Sequence, residues 1–259
     1  MDVLARAAFG DDPGRWPLPA AGTPLQTWER AVAAGGQGRY ASGFADLDAL
    51  GYAPGAGSVA SLALSTRASF LRQLGRHDDA RSWDGRAFAL AGPDAEARAD
   101  ALIGLAADAL GVGRFAASAR LLQRAREVIG DASPGRLPVR FGWVSAELAM
   151  FTGDGSAALV HAERAVGLAE STGSVRHAVK SDVVLAAALC SAGDLDASRR
   201  VADAALAATE RLGLVPLSWA LACLLADVGS AVHPPDRITA IRDESADAVR
   251  RGGGAWAGR

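Results

Sequence analysis

The stretch AADALGVGRFAASARLLQRA, residues 106–125, carries the unit from which this chain is built. Ala106 stands seven residues before Gly113, and Ala109 stands four before it. Phe115, Ser118 and Ala125 follow at two, five and twelve residues. Small and apolar residues at helical spacing on both sides of a Gly-Arg turn predict two helices folded back on each other. The same frame recurs at Gly38, Gly75, Gly153, Gly193 and Gly229, and the six glycines are 37, 38, 40, 40 and 36 residues apart. The residue seven before each is alanine: Ala31, Ala68, Ala106, Ala146, Ala186 and Ala222. Self-similarity at such a period is the signature of a solenoid, an all-α superhelix of five to six helical hairpins. A solenoid is first a scaffold, so the pattern favours binding over catalysis.

Composition narrows the class further. Half of the 259 residues are hydrophobic, but much of that is alanine, the residue that lets helices approach closely. Net charge is −2, which predicts no electrostatic grip on nucleic acid or on an anionic membrane. Of the 27 basic residues only Lys180 is a lysine, and the arginines are spread through every repeat beside matching acids. That bias fits a GC-rich bacterial genome better than phosphate recognition. Cys190 and Cys223 lie inside apolar helical runs with no metal spacing and read as buried thiols. With no basic-then-apolar N-terminal segment and no run of about 18 apolar residues, the expectation is a cytoplasmic protein.

Residues 1–23, rich in proline and glycine, read as an irregular arm after a short helix at Val3–Ala8. Residues 24–251 read as the solenoid and 252–259 as a flexible tail. Connections such as 130–135 and 171–174 combine helix stops with starts, with Asp94, Ser174 and Ser230 as expected caps. His233-Pro234-Pro235 breaks the last repeat. The helix that follows, 236–250, has one apolar and one charged face, as a capping helix requires.

The pattern resembles the tetratricopeptide repeat family, in a long-period bacterial variant of actinobacterial appearance. Ala106, Gly113, Phe115, Ser118 and Ala125 match the family's hallmark positions eight, fifteen, seventeen, twenty and twenty-seven. Tyr40, His77 and Leu195 fill the seventeenth elsewhere, and Gly155 leaves it empty in the fourth repeat. The resemblance implies a concave groove lined by positions two, five, nine and twelve of each repeat's first helix. Those positions give Trp28, Arg72, Asp100, Arg140, Trp143, Glu147, Lys180 and Trp219 as candidate partner-binding residues. Tryptophan and arginine dominate interface energetics, so a protein or peptide with apolar anchors and acidic character is the expected partner. The competing reading packs Trp143 and Trp219 between neighbouring repeats. The chaperone-type carboxylate clamp of this family needs paired asparagines, and the chain has no asparagine.

No catalytic constellation emerges. His77, His161, His177 and His233 show no metal spacing. Asp78-Asp79 and Asp194/Asp196 fall where acids cap second helices. Phosphate-binding loops and nucleophile elbows are absent, so the expectation is a non-enzyme without cofactor or metal. Two alternatives stay open. One is a sensor of a small molecule or signal peptide, with a pocket around Trp143, Glu147, Lys180 and Cys190. The other is a homodimeric assembly protein. The arm with Trp16 or the tail with Trp256 offers a further possibility, docking in the groove and occluding it.

Overall fold

The computed structural model describes residues 1–51, 57–130 and 135–257, so most of the connection expected at 130–135 and the last two tail residues lie outside it. The described residues form helices and no strand. After α1 (Val3–Phe9) come six hairpins. The first three pair α2 (Pro24–Gly36) with α3 (Tyr40–Gly51), α4 (Gly57–Gln73) with α5 (His77–Leu90), and α6 (Ala95–Gly111) with α7 (Phe115–Ile129). The last three pair α8 (Arg136–Phe151) with α9 (Gly155–Thr172), α10 (Val175–Ser191) with α11 (Leu195–Leu212), and α12 (Val215–Val228) with α13 (Pro235–Arg251). The first helix of each hairpin packs on the first helix of the next, and each second helix packs on the first helix that follows. This is the α-solenoid that the repeat predicts. None of its described helices is long and apolar enough to cross a membrane.

The repeat positions explain the packing. All six turn glycines have φ between +74° and +87°, a region that costs a side-chain-bearing residue and not glycine. The six alanines seven residues earlier are each 0% exposed, because helix backbones meet there at a distance only a methyl group allows. Asp94, Asp154 and Asp194 cap α6, α9 and α11 by accepting from the amides of Ala97, Ala157 and Ala197.

Other expected caps behave differently. Ser174 is the N-cap residue of α10, but its hydroxyl meets His177 Nδ1 at 2.8 Å instead of a backbone amide. Asp79 pairs with Arg76, the N-cap residue of α5, at 2.7 Å. Ser230 caps no helix. It donates to buried Asp203 and accepts from the amides of Val232 and His233. Pro234 and Pro235 open α13, and two prolines remove first-turn donors that a cap would satisfy. Asp203, which also accepts from the Ala231 amide, anchors this broken turn.

Both chain ends are held. Leu4, Ala7 and Ala8 of α1 are buried, and Gln37 Nε2 donates to the carbonyls of Pro13 and Arg15, each at 2.9 Å. At the other end, the expected flexible tail is a clasp over residues 252–257. The Ala41 amide donates to Gly252 O at 2.7 Å, and the Ala257 amide donates to Leu74 O at 2.8 Å. A Cβ on Gly252 would overlap the Gly38 carbonyl, and one on Gly254 would press on Val249 and Tyr40. The glycine triplet therefore serves close approach rather than slack. The cap-like α13 also turns inward: Val249 shares a core with Tyr40 and Leu74, so the last hairpin closes onto the first.

Candidate functional site

A charge ladder runs along the first helices. Position two of the third to fifth repeats holds Asp100, Arg140 and Lys180. One helical turn earlier stand Glu96, Arg136 and Arg176, again spaced by 40 residues. Residues four apart share a helix face, so α6 presents two acids, α8 two bases and α10 two bases. The α6 and α8 rungs match. Arg136 reaches Asp100 at 3.0 Å and Glu96 at 3.1 Å, and Arg140 pairs with the other oxygen of Asp100. Burial opposes the charge on Asp100, but Arg136 and Arg140 outweigh it and hold its pKa below the usual carboxylate value.

A second closed network surrounds Arg72 of α4. Its guanidinium binds Asp84 of α5 and, at 2.9 Å, Asp108 of α6; both carboxylates are 0% exposed. Burial pushes Asp84 up to about 7 against the pull of Arg72, and raises Asp108 as well. Oδ1 of Asp84 and Oδ2 of Asp108 are buried without a partner, which further favours the protonated carboxyl.

On α2, Trp28 is 5% exposed and donates from Nε1 to Thr66 Oγ1 at 2.8 Å. Its ring meets Phe9, the last residue of α1, at 5.2 Å between centroids. Arg136 lies over both rings, at 5.4 Å from Trp28 and 5.7 Å from Phe9. The C-terminal end of α1 runs onto the N-terminus of α10. The Val175 amide donates to Gly10 O, and Arg176 donates to Ala8 O at 3.3 Å. These contacts match the negative end of one helix to the positive end of another. Arg176 has no acidic partner among the described residues, and its Nε is buried without a hydrogen bond. Burial and the nearby Arg140 and Arg136 depress its pKa to about 10. The same three arginines add to burial in driving the His177 pKa well below its usual value, so the imidazole is neutral.

The first half of the expected groove face is thus closed by its own residues: Trp28, Arg72, Asp100 and Arg140 spend their polar groups inside the chain. The second half is more open. Trp143 is half-buried, donates to Ser181 Oγ at 2.9 Å and stacks on His177 at 5.3 Å. Lys180 and Glu147, each about a third exposed, lie 3.6 Å apart, Met150 is partly exposed one turn after Glu147, and Cys190 is partly exposed near the other end of α10. Trp219 packs on Trp256 of the tail with centroids 4.4 Å apart.

A cavity of about 560 Å³ lies between Phe9, Trp28, Ile129, Arg136, Leu137 and His177, and its lining includes none of Trp143, Glu147, Lys180 and Cys190. Sequence reasoning passed over Arg136, Arg176 and His177 because they precede the first repeat position by a turn or less. The 40-residue recurrence of Glu96, Arg136 and Arg176 is the signal that would have found them. Phe9, Asp84 and Asp108 occupy no groove position and left no such signal.

A family model for the tetratricopeptide repeat matches residues 59–129, the span from early α4 to the end of α7. Repeats of this family generally mediate protein–protein interaction and are typically non-catalytic scaffolds. Among curated proteins, none matches this chain.

Proposed function

We propose that the chain is a non-catalytic scaffold that binds a protein or peptide on the second half of its concave face. The observation that carries this reading is the contrast in side-chain exposure along one helical face. Trp28, Arg72 and Asp100 are sealed within the chain, whereas Trp143, Glu147, Met150 and Lys180 keep accessible surface around an aromatic anchor. A half-buried tryptophan flanked by a flexible thioether and a cation suits an apolar segment with an acidic residue. The helix α1 marks the other limit of this surface, because it already covers the aromatic seat beside Trp28.

Affinity capture from the native host's lysate tests the reading, comparing wild type with a Met150→Asp, Lys180→Glu double variant whose helicity is checked by circular dichroism. A partner held by wild type and lost by the folded variant is the expected result. Partners retained equally by both proteins would overturn it.

A further inference from the structure

The cavity of about 560 Å³ is within the range of about 300–1,000 Å³ that small-molecule sites occupy. Residues at the N-terminal ends of α6, α8 and α10 converge on it: Glu96, Arg136 and Ser174. The α6 terminus is capped by Asp94 and the α10 terminus meets the α1 carbonyls, but α8 has no side-chain cap and presents partial positive charge to the space. Beside the cavity Arg136 and Arg140 share Asp100, Arg136 also reaches the rim residue Glu96, and Asp84 acts on Arg140 from further off, while Arg176 has no ion-pair partner among the described residues.

His177 lines the cavity and is 3% exposed. Its Nδ1 is occupied by Ser174, while Nε2 meets no hydrogen-bond partner among the described residues. The tautomer in which Ser174 donates to Nδ1 puts the ring proton on Nε2, and in that form Nε2 offers a donor to a ligand. Phe9, Trp28, Val128, Ile129 and Leu137 form the apolar part of the wall, with Ser171 and Thr172 on its polar side.

We propose that this cavity binds an amphipathic monocarboxylate, with its acid at Arg136 and His177 and its apolar body against Trp28, Ile129 and Leu137. A carboxylate brings one negative charge to a cluster in which Arg176 has no ion-pair partner among the described residues, and its apolar body matches the apolar part of the wall. The helix α1 forms part of the wall and its carbonyls already satisfy the Val175 amide and one Arg176 nitrogen, so the ligand's acid falls to His177 and to Arg136, where it competes with the rim residue Glu96. This inference is independent of the protein-binding reading, and the Met150→Asp, Lys180→Glu variant is expected to keep it.

The test uses the full chain with four probes: decanoate, decanol, 2-naphthoate and 2-naphthol. Melting temperature and calorimetric titration are read for each. At least one acid is expected to raise the wild-type midpoint by about 2–4 °C near saturation while its alcohol does not, since only a ligand of the native state stabilises it. Whichever acid binds more tightly identifies an aliphatic or an aromatic body. His177→Phe, which keeps the ring stacked on Trp143, and Arg136→Gln are each expected to weaken the acid about tenfold. Ile129→Trp fills the space and is expected to abolish binding without lowering the midpoint of the free protein. Alcohols binding as tightly as the acids, no response to any probe, or undiminished binding by a folded Ile129→Trp protein would each overturn the proposal.

Discussion

The α6–α8 and α10 rungs of the charge ladder carry the same design with opposite outcomes. On α6 and α8, two acids face two bases, and Asp100 divides its oxygens between Arg136 and Arg140. On α10 the corresponding bases are Arg176 and Lys180, and the matching places of the next repeat hold Leu212, the last residue of α11, and Pro216 of α12. With no acids opposite, Lys180 turns back to Glu147 and Arg176 takes a carbonyl of α1. Equal spacing along a repeat therefore does not imply equal chemistry. A matched rung ties two helices together, and an unmatched one falls back on partners outside its repeat position.

Three measurements would break or sharpen that contrast. Asp100→Ala should have the largest effect, because it leaves Arg136 and Arg140 buried without their shared carboxylate; breaking a buried pair costs about 3–5 kcal/mol. Urea unfolding measures it, and a loss under about 1 kcal/mol would mean that the rung is solvated rather than a strut.

A pH effect should come next, from the Arg72 network. Asp84 has a folded value of about 7 against an ordinary 3.8, so it binds a proton more readily in the folded state. Its contribution is fully present below pH 3.8 and is lost as pH rises through 7. Wild-type stability should therefore decline across that window, by up to about 1.4 kcal/mol per pH unit, relative to Asp84→Asn. Parallel pH profiles for the two proteins would show that the carboxyl ionises normally.

The smallest effect is expected at the unmatched rung. Arg176→Met removes a buried cation that has no acid, and it forfeits one long hydrogen bond to Ala8 O. The two nearly cancel, leaving a change within about 1 kcal/mol of zero in either direction. A loss as large as that of Asp100→Ala would place an unrecognised counter-charge beside α10.

Much of the architecture was legible because repeats make a short-range pattern global. Gly113 and Ala106 each have five counterparts in register, and the turn conformation and zero exposure follow from residue type at those positions. Helical spacing puts positions two and five on one side of each first helix, but the accessibility of that side was not legible. Trp28 and Trp143 share a repeat position, yet one is sealed by Phe9 and the other stays half-open. The difference comes from α1, which belongs to no repeat.

Local sequence settled the helices, their turns and the hairpin order, because those depend on residues within about forty positions of one another. The fate of the groove depended on contacts spanning most of the chain. Arg176 reaches Ala8, and Gly252 reaches Ala41. Neither contact leaves a periodic trace: a glycine triplet reads locally as slack, and a seven-residue helix reads as a marginal end. Closure of the last hairpin on the first brings them into contact, and that closure follows from the summed curvature of six hairpins rather than from any one of them.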